Sequence, residues 1–322
     1  MQRSLVPGPG RATLLAAVLL TGRRALLALV LPLAACGCLF PVRHLPASCD
    51  VPAGGAELPN YCSSQLALYV AIGGGEPEEF LLDTGSTSFL IHPATAEDLG
   101  LSCGAHLPWR VHGADESRWE WRQCSRVDLL SLDAGIVLRD VPCAVAFPPD
   151  GYSGVLGNGV LEHVSIEIAA DRRTVRIASA PIERREGDIP IRLRRGLPWI
   201  ALEIAGERFD AILDTGFDNA LRLPPRWRSS PAVRESTYTR ADASSVSRLE
   251  TDLAIGALRI SNVPVQFGPR DVLVGLELFA GRVVTIDLRS RTLRVGAMEK
   301  SLSSPKGESA APTVSETPVG GR

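Results

Sequence analysis

Short runs of apolar residues alternating with polar or small ones recur along this chain, each closed by a turn. Leu66 to Ile72 alternates as Leu-Ala-Leu-Tyr-Val-Ala-Ile and breaks at Gly73-Gly74-Gly75-Glu76-Pro77. Glu79 to Leu82 predicts the returning strand. Neither Lys-Ser/Thr nor a helix follows the glycine run, so it reads as a turn and not as a phosphate loop. Phe89-Leu90-Ile91 predicts another strand, and Val127 to Val145 predicts two more, joined near Leu132-Asp133-Ala134-Gly135. Ile166–Ile168 and Val175–Ile177 close around a turn at Asp171-Arg172. After the charged stretch Glu183-Arg184-Arg185-Glu186-Gly187-Asp188 the pattern restarts. Trp199 to Ile204 predicts a strand, Ala205-Gly206-Glu207 a turn, and Phe209 to Leu213 a second strand. The predicted fold class is all-β.

The restart is a repeat. Phe80-Leu81-Leu82-Asp83-Thr84-Gly85-Ser86 is matched by Ala211-Ile212-Leu213-Asp214-Thr215-Gly216-Phe217, with Asp-Thr-Gly recurring 131 residues on. Val141-Pro142 recurs as Val263-Pro264, 122 residues on. Gly157 and Arg173-Thr174-Val175-Arg176-Ile177 recur as Gly275 and Arg291-Thr292-Leu293-Arg294-Val295, 118 residues on. The order of landmarks is kept while the loops shorten. An apolar strand that ends in Asp is costly unless the carboxylate is solvated, paired or used. Two such ends suggest two half-sites that face each other.

These residues resemble the aspartic proteases, pepsin-like in carrying two Asp-Thr-Gly motifs on one chain, with halves closer in size to the retropepsin-like group. The resemblance covers about residues 65–297. It implies two homologous β-barrel-like lobes of acid-protease fold, residues 63–182 and 191–297, joined by a linker at 183–190, with the active site in the cleft between them. It implies an aspartic endopeptidase whose catalytic residues are Asp83 and Asp214. Thr84 and Thr215 would cross-link the two loops. Gly85 and Gly216 would let backbone amides approach the carboxylates. Val155-Leu156-Gly157 and Leu273-Val274-Gly275 would lie beneath the loops. Residues 105–124 resemble by position the flap that closes over substrate, with Gly113, Ala114, Trp119 and Trp121 as substrate-binding candidates. Trp109, Trp119 and Trp121 either line the cleft and favour apolar substrate side chains, or pack the flap's base. A second flap would fall around Tyr238–Leu249.

Peptide hydrolysis needs a nucleophile and a proton donor. Two close carboxylates supply both, because like charges disfavour double ionisation and one stays protonated. The ionised member would take a proton from water as it attacks the amide carbonyl, and the protonated member would donate to the carbonyl oxygen. No cofactor or metal is called for, and the site is complete within one chain, so the expected partner is a peptide or protein substrate. The halves differ after the glycine: Ser86 can donate to the outer oxygen of Asp83, whereas Phe217 cannot do so for Asp214. That difference predicts that Asp214 more often holds the proton. The competing reading is a catalytically silent, lipid-anchored peptide- or protein-binding module of the same fold.

Residues 1–35 read as a targeting segment. Arg3, Arg11, Arg23 and Arg24 precede an apolar run from Ala25 to Ala35, too short to span a bilayer. The run ends Leu33-Ala34-Ala35-Cys36, which resembles the bacterial lipoprotein signal with Cys36 as the lipidated residue. An ordinary cleaved signal peptide and a short uncleaved anchor are the other readings. The lipoprotein reading predicts an exported protein held to a bacterial membrane, its catalytic body in the periplasm or outside the cell. Residues 36–62, with Pro41, Pro46, Pro52 and Pro59, read as a tether, and 298–322 as a disordered tail.

Seven cysteines leave six beside Cys36, which suggests disulfides in an exported chain. Cys49 with Cys62 is the favoured local pair. No Cys or His spacing fits a metal site. The net charge of −2, with lysines only at Lys300 and Lys306 and arginines scattered, gives no support to nucleic-acid binding.

Overall fold

The computed structural model describes residues 48–59, 65–112, 118–124, 126–132, 135–149, 151–169, 174–239, 245–268 and 271–298. All of these lie in one compact unit spanning Leu45–Arg322. The described chain is mostly β-sheet with few helices.

Strand Ala67–Ile72 buries Leu68, Val70 and Ile72 while Tyr69 and Ala71 stay half-exposed, the period of two that its sequence predicts. It pairs antiparallel with Glu78–Leu82, whose last three residues, Phe80, Leu81 and Leu82, are all buried. A strand buried on both faces belongs at the centre of a sheet. Strand Gly154–Leu156 accordingly pairs parallel to it on its other side, with Leu156 opposite Leu82. Strand Phe89–Ile91 follows, then Cys143–Val145 parallel to it. These are the middle strands of a ten-stranded sheet.

The second half repeats that order. An eight-stranded sheet runs from Leu197–Ile204 to Glu207–Leu213, Leu273–Val274, Leu221–Leu223 and Leu258–Phe267. Leu273–Val274 is parallel to the strand that leads into Asp214, and Leu258–Phe267 is parallel to Leu221–Leu223. The repeat read from the sequence is therefore also a repeat of strand order and direction.

A six-stranded sheet draws on both halves. Ser165–Ala169 pairs with Thr174–Ala178 from its own half and with Arg282–Asp287 from the other, Ser165 standing opposite Asp287. Its core residues Ile166, Ile168, Val175, Ile177, Val284, Ile286 and Leu293 are buried. Leu→Ala or Ile→Ala substitution here costs about 2–5 kcal/mol.

Several expectations are corrected. The tether assigned to 36–62 contains two sheet strands, Ser48–Asp50 against Ile136–Val141, and Ala56–Pro59 against Thr174–Ala178. The physical reason is the alternation Ala56-Glu57-Leu58, which buries Ala56 and Leu58 in the core. The rest of 36–62, the targeting segment 1–35 with Cys36, and the tail from 299 lie outside the described residues. The stretch 183–190 ends in strand Ile189–Pro190, with Ile189 buried and Asp188 paired to Arg294 at 2.8 Å. That partner, through its hydrogen bonds, holds the Asp188 carboxyl below its usual range.

The favoured Cys49–Cys62 pair is also corrected: Cys49 carries a free thiol, packed against the core and shifted up by burial. Cys62 lies outside the described residues. Cys143 is a buried thiol pushed up to about 11 by its burial. Among the described residues no helix is long and apolar enough to cross a membrane.

Candidate active site

Alternation places the two carboxylates. Phe80 and Leu82 point into the main core, so Leu81 and Asp83 share the opposite face. Ala211 and Leu213 do the same, leaving Ile212 and Asp214 on the opposite face. The parallel neighbour holds each Asp backbone: Asp83 N–H donates to Leu156 O at 3.0 Å, and Asp214 N–H to Val274 O at 2.9 Å. A tight turn follows, closed by Ser86 N–H to Asp83 O at 3.2 Å and by Phe217 N–H to Asp214 O at 3.3 Å.

The two turns are tied by four crossed hydrogen bonds. Thr84 Oγ1 donates to Leu213 O at 2.7 Å and accepts from Thr215 N–H at 3.0 Å. Thr215 Oγ1 donates to Leu82 O at 2.7 Å and accepts from Thr84 N–H at 3.0 Å. Both threonines are buried. Each hydroxyl thus satisfies a donor and an acceptor that have no strand partner, and removing one leaves buried groups unpaired.

The glycines let the carboxylates close in. A Cβ at Gly85 would lie 2.5 Å from Asp214 Cγ, and one at Gly216 would lie 2.7 Å from Asp83 Cγ. No side chain fits in either place. Gly85 N–H donates to Asp83 Oδ1 at 2.6 Å, and Gly216 N–H to Asp214 Oδ1 at 3.0 Å. Beneath the turns, a Cβ at Gly157 would meet Ser88 O at 2.2 Å and one at Gly275 would meet Asn219 O at 2.0 Å.

The two carboxyls are hydrogen-bonded to each other. Burial raises the Asp83 carboxyl above its ordinary value, opposed by the hydrogen bond from Asp214 and by the amides of Gly85, Gly216 and Ser86. Asp214 is raised well above its ordinary value, first by burial, then by the charge and hydrogen bond of Asp83. Arg222 pulls Asp214 the other way. Both carboxyls are thus raised, and like charges this close disfavour double ionisation, so the pair titrates as one unit.

The contact expected of Ser86 is not the one formed. Ser86 Oγ donates to Ser88 O at 3.1 Å and not to Asp83; it is the Ser86 backbone amide that favours the Asp83 anion. Phe217 is buried in a small cluster with Ile212 and Leu273, flanked by Leu197 and Trp199.

Three residues that sequence reasoning passed over support the turns. Asn158 follows Gly157 at the start of helix Asn158–Leu161. Its Nδ2 donates to Thr84 O and to Gly196 O, both at 2.8 Å, so one side chain joins the first turn to the second half. Gln65 Nε2 donates to Gly216 O at 3.0 Å, and Tyr152 Oη donates to Gln65 Oε1 at 2.9 Å. The repeat held a signal for the first, since Asn158 aligns with Leu276 one residue after each Gly. Gln65 and Tyr152 carried none.

The flap candidates Gly113 and Ala114 lie outside the described residues. Trp119 and Trp121 sit on strand Arg118–Cys124, which pairs antiparallel with Cys103–His112; their side chains are outside what is described. The expected second hairpin is formed by Arg234–Thr239 and Ser245–Ile255, with Tyr238 opposite Val246.

Fold and geometry together define a β-sheet protein with a close carboxyl pair, Asp214 buried and Asp83 half-buried, at the ends of two repeated strands. Residues 68–160 match the family model described as Aspartyl protease, a span that includes the first Asp-Thr-Gly and Asn158. The match supports an aspartyl protease domain and, with it, a peptidase. No curated protein matches the chain.

Proposed function

We propose that the protein is an aspartic endopeptidase of two lobes, with Asp83 and Asp214 activating one water in the cleft between them. The observation that carries this reading is the close approach of the two carboxyls, each seated against the other turn's glycine, with the two turns tied by crossed threonine hydrogen bonds. Asp83, the ionised member, takes the water's proton as the oxygen attacks the amide carbonyl. Asp214, the protonated member, donates to the carbonyl oxygen. Asp83 then passes its proton to the leaving nitrogen while a hydroxyl of the gem-diol returns a proton to Asp214; the C–N bond breaks, the acid and the amine leave, and the starting pair is restored. The crossed threonines and Asn158 fix the spacing on which the sharing of one proton depends. Gly113, Ala114, Trp119 and Trp121 belong to the flap that closes over the peptide.

The body is carried to the outside of a bacterial membrane and held there by lipid on Cys36. Cys103 and Cys124 stand directly opposite each other across the hairpin Cys103–His112 and Arg118–Cys124, a register suited to a disulfide in an oxidising compartment. Replacing Cys36 by Ser should release the protein from the membrane fraction; unchanged membrane retention removes the lipid anchor.

The test of the enzyme is hydrolysis of unstructured peptides by the full chain, with and without pepstatin. A transition-state mimic should bind the paired carboxyls far more tightly than a substrate does. Cleavage blocked by pepstatin supports the reading. Peptide binding without cleavage at any pH favours the silent binding module instead.

A further inference from the structure

Gln65 and Leu197 hold the same place in the two halves. Ala67 stands opposite Leu81 and Trp199 opposite Ile212, and Leu81 and Ile212 each lie two residues before an Asp. Gln65 and Leu197 come two residues before Ala67 and Trp199, so alternation turns both to the face of the Asp pair. The ladder reaches this far in the first half, with Leu82 N–H donating to Leu66 O at 2.8 Å. Leu197 packs beside Ile212, Phe217 and Leu273. Gln65 instead crosses to the other half, its Nε2 donating to Gly216 O at 3.0 Å.

The partners of this amide fix its orientation. A carbonyl oxygen only accepts, so Gly216 O must face the NH2 end, and Oε1 is left to accept from Tyr152 Oη at 2.9 Å. Tyr152 is held in turn by packing against the cluster of Leu81, Leu90 and Val155. Gly216 needs such a hold, because the place admits no side chain and glycine leaves the backbone free to turn. On the far edge of the Gly216–Phe217 peptide, Phe217 N–H reaches Asp214 O at 3.3 Å, a long bond. What the hold protects is the Gly216 N–H. It donates to Asp214 Oδ1 at 3.0 Å and also favours the Asp83 anion. The charged groups that face Asp214 are Asp83 on the first turn and Arg222 on strand Leu221–Leu223, and Tyr152 is the titratable group that faces Gln65.

We propose that Gln65 is a positioning residue: oriented by the Tyr152 hydroxyl, it holds the Gly216 peptide so that the amide of that glycine serves both carboxyls. Its effect on rate rests on the protease reading above; its effect on the carboxyls does not. An amide aimed at a carboxylate favours the charged form. Without Gln65 the Gly216 peptide turns, the amide is lost to both groups, and the titrations of the pair rise together. The alignment of the carboxyls on the reacting water loosens with it. Leu197 has no group that could do the same for Gly85, so the hold acts on the second turn from the first half.

The test follows the carboxyl carbons of 13C-Asp-labelled full chain through a pH titration, with Asp83 and Asp214 assigned from their Asn variants. Gln65→Leu copies the residue of the second half and should move the titrations of the pair up by about one pH unit. Tyr152→Phe removes one hydroxyl and should move them less, in the same direction. The double variant should move them no further than Gln65→Leu alone, because Tyr152 acts through Gln65. On a cleaved peptide, Gln65→Leu should lower kcat about tenfold with KM little changed, and its pH–kcat profile should follow the carboxyls. Unchanged carboxyl titrations in the variants overturn the proposal. So does a rise in KM with kcat kept, which would place Gln65 against the peptide, and so do shifts that add in the double variant. If Gln65→Leu does not fold, Tyr152→Phe carries the same test. Absence of cleavage by the wild-type protein overturns the protease reading, and the carboxyl titrations then decide the proposal by themselves.

Discussion

The first half of the molecule presents Leu90, Ser86 and Asn158 around its Asp-Thr-Gly; the second presents Arg222, Phe217 and Leu276 at the matching places. The backbones beneath them agree. In both halves the strand ending in Asp runs parallel to the strand ending in apolar-apolar-Gly, and the next strand pairs antiparallel with that one. The difference teaches where symmetry is needed and where it is not. Aligning two carboxyls at hydrogen-bonding distance requires two copies of one turn, crossed by two threonines. Outside that turn the copies are free to differ, and they do so at Ser86 and Phe217, at Leu90 and Arg222, and at Asn158 and Leu276.

The largest expected effect tests the symmetric part. Ala at Gly85 or at Gly216 sets a methyl against the opposite carboxylate, so each should lower kcat/KM by about a hundredfold or more, and by similar amounts. A full loss from one and none from the other would break the two-fold account. Next, Thr84→Val and Thr215→Val each strand a buried amide and a buried carbonyl. Each should lower stability by about 2–4 kcal/mol in denaturant unfolding, with Ser at either position recovering most of it.

The asymmetric part gives smaller effects. Asn158→Leu makes the first half like the second at this position. It removes the bonds to Thr84 O and Gly196 O, and should cost about 1–2 kcal/mol in the same unfolding assay. The pH dependence is smaller still. Both Asp carboxyls are raised in the folded state, so folding favours their protonated forms. Their contribution to stability is full below about pH 4 and is lost as the pH rises through the raised folded values. Asp214→Asn stays neutral throughout, so its Tm should exceed that of the wild type by about 2–5 °C at neutral pH, with the gap closing toward about pH 4. A gap that widens toward acid would mean that the proton is not held on this residue.

Much of this was legible in the sequence, and for definite reasons. Strands such as Ala67–Ile72 and Leu197–Ile204 bury alternate residues, and alternation is visible in one dimension. The repeat was visible because it preserves order, and the hydroxyl cross-link was what the resemblance carried by the two Asp-Thr-Gly motifs implied. Other features depend on partners distant in sequence. Ala56–Pro59 lay hidden in a proline-containing stretch because its partner among the described residues, Thr174–Ala178, is more than a hundred residues away. Helix Pro93–Asp98 has six residues, too few to show a helical period. The hydroxyl of Ser86 chose a nearer acceptor, the Ser88 carbonyl, a local competition that spacing does not reveal. Arg222 was visible as a residue but not as part of the site, because only the register with Leu273 turns it to the face of Asp214.

The central claim is that Asp83 and Asp214 act as one unit. A double-mutant cycle tests it most directly: kcat/KM of the full chain is measured for wild type, Asp83→Asn, Asp214→Asn and the double variant on one cleaved peptide. Shared action predicts that each single change costs about a thousandfold or more and that the double costs little beyond either single. Activity surviving in either single variant, or losses that multiply in the double, would contradict a shared proton and a shared water.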